Sequence, residues 1–311
     1  MRILVVGAGA TGGHFGGLLA AAGRDVTFLV RPARAAGLRT RGLRLTGPHG
    51  DVHIPRPSLV TPQELAQKPY EPFELVLLSV KSYGLRQAVT DIAPAVAPDT
   101  LVLPVLNGMT HLDVLDTAFG PDAVLGGLCL IASTLDPDGR IVQLEDFHQI
   151  TFGPRTERAE QRSAAVRAAL DGVGFHVRLS LAIVQEMWEK WYLLASLAAV
   201  TTLMRGSVGE VMAAPGGPRF IEGVLAEVEA ATAAAGHPVS NEAKERAHKR
   251  LLTAGSPLTA SMFRDLSAGL PVEAEHIIGD MVDRGARNGV PMPLLALART
   301  HLAVYEERRS S

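Results

Sequence analysis

Residues 1–34 read MRILVVGAGATGGHFGGLLAAAGRDVTFLVRPAR, and the run from Ile3 to Gly12 constrains the fold more than any other part of the chain. Four aliphatic residues, ILVV, lead directly into glycines spaced G-x-G-x-x-G and then into a helix-forming stretch. A strand that ends in such a turn and feeds a helix opens a βαβ unit. Gly7 permits the tight turn, Gly9 lets a pyrophosphate approach the backbone, and Gly12 lets the helix pack closely on the strand. The helix N-terminus then faces the phosphate charge. The pattern predicts a helix over 11–22 and a dinucleotide site built from Gly7, Gly9, Ala10, Thr11 and Gly12.

An acid at the end of the second strand would hydrogen-bond the ribose 2′-hydroxyl of NAD and repel a 2′-phosphate. That place is LVRPAR, with Arg31 where the acid would stand. A guanidinium pairs with phosphate through a charge-assisted fork, so the expected cofactor is NADPH. The bland alternative is a solvated arginine in a surface loop.

The alternation that starts here continues through the first 180 residues: DVTFLV, ELVLLSV and LVLPVL alternate with helical segments, which argues for parallel strands and crossover helices. GLRLTGPHGDVHIPRP reads as a hairpin insertion, and residues 123–153 as an antiparallel extension of the sheet. From Ile183 onward the period changes to 3.6 residues, over 183–204, 217–236, 240–253, 259–268, 273–288 and 293–308. The expected fold is an N-terminal Rossmann-type, mostly parallel α/β domain over 1–180 and an all-helical substrate and catalytic domain over 181–311.

Composition narrows the partners. A net charge of −2 gives no extended positive field, which argues against nucleic acid. Trp191–Met204 is nearly apolar but falls short of the ~20 residues that span a bilayer, and the five-residue apolar opening is too short for a signal peptide. Cys129 is the only cysteine, which rules out an internal disulfide, fits a reducing cytoplasm and reads as core filling.

Four further places carry chemistry-capable residues. Lys81 in SVKSYG and Asn107 in PVLNGM each follow the carboxyl end of a strand, where open α/β sheets bind ligands; a solvated lysine and an Asn-Gly turn are the alternatives. Lys190 in EMWEKWYLLASL stands beside apolar surface that would lower its pKa and suit it to proton donation, or it pairs with Glu186 on an exposed face. Ser261 and Asp265 share a helix face, and Glu273 begins another helix; ordinary helix-end decoration explains all three. His148 and His276 lack ligand-like spacing, and no metal is expected.

In their order, GAGATGG, VKSYG, LNGM, WEKW and SMFRD…GLPVE resemble the ketopantoate reductase (2-dehydropantoate 2-reductase) family over nearly the whole chain. The resemblance implies that Gly7, Gly9, Gly12 and Arg31 bind NADPH and that Lys81 and Asn107 line the cofactor and substrate site. It further implies that Lys190 is the general acid and that Ser261 and Glu273 bind substrate and support the catalytic geometry, with Asp265 beside them. One departure bears on the substrate: the family carries asparagines four and eight residues after the catalytic lysine, where this chain has Leu194 and Ala198. The activity so implied is NADPH-dependent reduction of ketopantoate to pantoate, in the cytoplasm, by a chain for which a homodimer is compatible. A reductase of a more apolar 2-oxo acid, a 3-hydroxyacid dehydrogenase and a non-catalytic NADP(H) sensor are the rival readings.

Overall fold

The structure is a computed structural model that describes residues 1–67 and 70–310. In chain order the strands and helices are β1 (Arg2–Val6), α1 (Ala10–Ala21), β2 (Asp25–Leu29), α2 (Pro32–Arg41), β3 (Leu43–Thr46), β4 (Val52–Ile54), β5 (Ser58–Val60), α3 (Pro62–Gln67), β6 (Leu75–Leu78), α4 (Leu85–Ile92), β7 (Leu101–Pro104) and α5 (Thr110–Phe119). There follow β8 (Gly126–Leu135), β9 (Ile141–Gly153), α6 (Glu157–Leu170), β10 (His176–Leu179), α7 (Ile183–Met204), α8 (Val208–Ala213), α9 (Gly217–Ala234), α10 (Asn241–Leu251), α11 (Ser261–Ser267), α12 (Asp280–Arg287) and α13 (Pro293–Ser310). The chain divides into two compact units, Met1–Leu106 with His111–Val184 and Asn107–Thr110 with Gln185–Ser311.

In the first unit the strands run parallel in the order β5-β2-β1-β6-β7. Every residue of β6 and β7 is buried, as are Ile3–Val6 of β1, because a parallel sheet is covered on both faces; this is why these strands read as unbroken aliphatic runs. Helix α1 begins one residue earlier than its sequence pattern predicts, with Gly9 as N-cap. Its small residues let it lie close to two sheets at once. A Cβ on Gly16 would come 2.6 Å from the Phe28 ring, and one on Gly17 would come 2.9 Å from Leu45.

Leu45 belongs to the second sheet, and here the sequence expectation needs correction. Residues 43–54 form the expected antiparallel hairpin, β3 with β4, and β8 pairs antiparallel with β9. These strands do not extend the first sheet. They build a second one, in the order β10-β9-β3-β4 with β8 on β9, in which β3 and β10 both run parallel to β9. Val102 of β7 forms an isolated parallel bridge with Val124, just before β8. Strand alternation records only which faces are buried and not the partner; α1 packs on both sheets, with Gly16 against Val5 and Phe28 and with Gly13 and Gly17 against Ile141, Leu43 and Leu45.

The second unit is helical, as the 3.6-residue period requires. Two details escape that period. The segment expected as one helix over 273–288 opens with a π-helical turn, Glu275–Gly279, before α12. The short α8 also lies outside the expected segments; Ser207 and Glu210 cap each other at its start, the serine hydroxyl accepting from the Glu210 N–H at 3.3 Å and the carboxylate accepting from the Ser207 N–H at 2.7 Å.

Candidate active site

The glycine turn has the shape of a phosphate cradle. Gly7 has φ +94°, and a Cβ there would meet the Ser79 carbonyl at 2.7 Å, while a Cβ on Gly12 would collide with the Gly7 carbonyl and crowd Ser79. A Cβ on Gly9 would meet nothing within 4 Å among the described residues, so the backbone is open on the side where a pyrophosphate would approach. Ala10 and Thr11 form the first turn of α1, which has no side-chain cap and no acid to compete with an anion.

Arg31 is the N-cap residue of α2 and is exposed, without an ion pair among the described residues. Its guanidinium reaches to 3.8 Å from the position a Gly84 Cβ would occupy. Gly84 closes the 3₁₀ turn Ser82–Gly84, whose N-cap is Lys81, and the Lys81 carbonyl accepts from the Gly84 N–H at 2.8 Å. Arg31 and Lys81 are thus brought to one edge, at the carboxyl ends of β2 and β6. Arg34, which the sequence shows only as one of a basic cluster with Arg31, Arg39 and Arg41, lies one turn further along α2 and donates from Nε to the Ala8 carbonyl inside the glycine turn at 3.1 Å.

In the second unit, three stretches far apart in sequence converge through backbone carbonyls. Lys190 is half-buried on α7. Its neighbour Trp191 is fully buried and donates from Nε1 to the Ile277 carbonyl at 2.9 Å. Gly108, at φ +77°, lies so close to the His276 carbonyl that a Cβ would stand 2.5 Å from it and 4.0 Å from Trp191 Nε1. The segments carrying Asn107, Lys190 and Glu273 are held together this way, and Glu273 is 9% exposed. Both carbonyls belong to the π-helical turn Glu275–Gly279. Trp191, Gly108 and the π turn were not singled out as site features by the sequence; the nearest signal was the position of Trp191 next to Lys190.

Leu194 and Ala198 follow Lys190 by one and two turns of α7; Leu194 is half-buried and Ala198 is buried. Ser261 is exposed at the start of α11. Asp265, four residues later, contributes to raising the pKa of the Tyr305 phenol on α13, behind burial and Glu306. Thr110, the first residue of α5, has a buried hydroxyl without a hydrogen-bond partner among the described residues. Among the described residues no group of three or more His, Cys, Asp or Glu is placed to hold a metal ion. No helix among the described residues is long and apolar enough to cross a membrane.

The ketopantoate reductase PanE/ApbA family model matches residues 3–157, and the model of that family's C-terminal domain matches residues 182–306. The chain belongs to the ketopantoate reductase family. This reductase is 32% identical over 309 residues to an uncharacterized oxidoreductase, YkpB, of Bacillus subtilis (strain 168), covering 99% of this chain and 100% of that one. It is 28% identical over 297 residues to 2-dehydropantoate 2-reductase of Halobacterium salinarum, covering 95% of each. Its fold matches that of D-mandelate dehydrogenase, solved with NADH and anilino(oxo)acetate, with a TM-score of 0.88 over 100% of both chains at 19% identity. The reductase is an oxidoreductase that acts on a CH–OH group.

Proposed function

We propose that this reductase converts 2-dehydropantoate (ketopantoate) to pantoate with NADPH, in the supply of pantothenate and coenzyme A. The observation that supports the reading is that the segments carrying Asn107, Lys190 and Glu273 meet at the His276 and Ile277 carbonyls, through Gly108 and Trp191. An acid, a carboxylate and an amide gathered on one rigid frame can protonate, orient and hold a polar substrate.

When bound, NADPH supplies the hydride that reduces the ketone carbon. Gly7, Gly9, Ala10, Thr11 and Gly12 would cradle its pyrophosphate, Arg31 would pair with its 2′-phosphate, and Lys81 would line the same edge. Lys190 protonates the developing alkoxide, Glu273 orients the lysine or a substrate hydroxyl, Asn107 positions the reactants, and Ser261 holds the carboxylate end, with Asp265 one turn further along α11.

A second reading is a reductase of a more apolar 2-oxo acid. Leu194 and Ala198 favour it, because an aliphatic lining after Lys190 offers no hydrogen bond to a substrate hydroxyl, and the fold match to an enzyme of an aromatic 2-hydroxy acid is consistent with it. The deciding experiment is oxidation of NADPH and of NADH against a panel of 2-oxo acids that includes ketopantoate. Arg31→Ala run beside it weakens NADPH by about ten- to a hundredfold and leaves NADH nearly unchanged if Arg31 reads the phosphate.

A further inference from the structure

Four arginines gather at and beyond the end of the second strand, and their charges are met unequally. Arg39 pairs with Glu64 at 3.2 Å. Arg31, Arg34 and Arg41 make no ion pair among the described residues. Arg34 differs from the other two in being fixed and half-buried. Its Nε donates to the Ala8 carbonyl at 3.1 Å and its Nη1 to the Gly139 carbonyl at 3.1 Å, so one guanidinium joins the glycine turn to the tip of the β8–β9 hairpin. Both acceptors are neutral, and Nη2 is buried without a hydrogen-bond partner among the described residues. Burial first, and then the charge of Arg41, hold the guanidinium below the ordinary arginine pKa.

A cation withdrawn from water beside a second cation, with no acid to meet it, is unfavourable on its own. It becomes favourable when a multiply charged anion arrives next to it, and its attachment to Ala8 fixes where that anion must lie. The pyrophosphate of a dinucleotide belongs to the N-terminus of α1, whereas the first turn of α2 follows the strand end at which the adenine-side ribose is recognised.

We propose that Arg34 is a second cofactor-specificity residue: pinned to the glycine turn through Ala8, it presents a fixed positive charge to the 2′-phosphate of the dinucleotide, separately from Arg31. The inference rests on the NADPH reading above. An exposed arginine such as Arg31 must be ordered when ligand binds, whereas Arg34 is already held, so its contribution is preorganised.

The test is direct binding, by calorimetry, of 2′,5′-ADP, 5′-AMP, NADPH and NADH to wild type, Arg34→Met and Arg34→Lys, with thermal denaturation of each unliganded protein. Arg34→Met should raise the Kd of 2′,5′-ADP and NADPH by about ten- to a hundredfold, change 5′-AMP and NADH less than about threefold, and flatten the salt dependence of NADPH binding. Arg34→Lys keeps the charge and should recover most of the preference even where it loses thermal stability. Equal losses for 2′,5′-ADP and 5′-AMP in Arg34→Met, or in Arg34→Lys should the methionine variant not fold, would reduce Arg34 to a clamp between turn and hairpin and overturn the proposal. A wild type that binds 2′,5′-ADP no better than 5′-AMP overturns the NADPH reading and this inference together; a wild-type preference that survives Arg34→Met overturns this inference alone.

Discussion

The Trp191 indole N–H is bonded to the Ile277 carbonyl at 2.9 Å, across 86 residues of sequence. This one bond joins the helix that carries Lys190 to the segment that carries Glu273. Trp191 also lies 5.1 Å from the Trp188 ring, and the Arg284 guanidinium stands 5.7 and 5.8 Å from the two rings while its Nε donates to both Asp280 oxygens at 3.0 Å. The segment that follows Glu273 is therefore braced from several sides.

Trp191→Phe keeps an aromatic body in the core but leaves the Ile277 carbonyl without its donor. Such a loss costs about 1–3 kcal/mol, so the melting temperature should fall by several degrees. If the bond also aligns Lys190 with Glu273, kcat drops while the Kd for NADPH stays within a few-fold. A stability loss with unchanged kcat would assign the bond to packing alone.

Lys190→Ala tests the proton donor. General acid catalysis contributes roughly a hundredfold or more, so kcat should fall by at least that factor while folding and NADPH binding persist. Turnover within a few-fold of wild type, in a folded variant, would leave Lys190 as an ordinary residue of the α7 surface.

Leu194→Asn tests how strictly the substrate is read. A site that hydrogen-bonds a substrate hydroxyl discriminates strongly, whereas an aliphatic lining discriminates by a few kcal/mol at most. Wild type should accept 2-oxo acids lacking the ketopantoate hydroxyl within about tenfold in kcat/KM, and Leu194→Asn should shift preference toward ketopantoate. A wild-type preference of about a thousandfold or more would mean that other residues hold the hydroxyl.

The buried His14 and His148 rings touch at 3.0 Å between Nε2 and Nδ1, and His49 stacks on His148 with ring centroids 4.5 Å apart. Burial, then the charges of His148 and His49, lower the pKa of His14 to about 4; His148 is lowered by burial, His49 and His176, against which Asp146 acts. A histidine depressed in the folded state takes up its proton more readily when unfolded. Its stabilisation is thus fully present above about pH 6.5 and is lost as pH falls toward 4, by an amount on the order of 3 kcal/mol. Chemical denaturation between pH 4 and 7 should show this slope in wild type and a shallower one in His14→Phe; parallel slopes would remove His14 as its source.

The elements with a strong period are legible in the order of residues alone. ILVV, ELVLLSV and LVLPVL appear as β1, β6 and β7, and the helical spacing of 183–204 is α7, because burial on both faces or on one stripe is written directly into the succession of apolar residues. The identity of Arg31 is equally plain. Its approach to Gly84 is not, since that depends on how the turn after β6 lies beside α2.

What the sequence determined by itself was the class of each segment: a parallel α/β beginning, a helical end, a glycine turn with a cation after its second strand. Tertiary structure alone decided which segments meet. The β8–β9 pair joined β3 and β10 in a second sheet, where α1 packs its glycines on Leu45 and Ile141, and strand alternation carries no label for a partner. Arg34 became part of the glycine turn, and Trp191 a brace for the Glu273 segment, through single hydrogen bonds to carbonyls of Ala8 and Ile277. A backbone carbonyl is the same in every residue, so no pattern of side chains announces which one will be reached; only the packing that brings distant segments within about 3 Å can choose it.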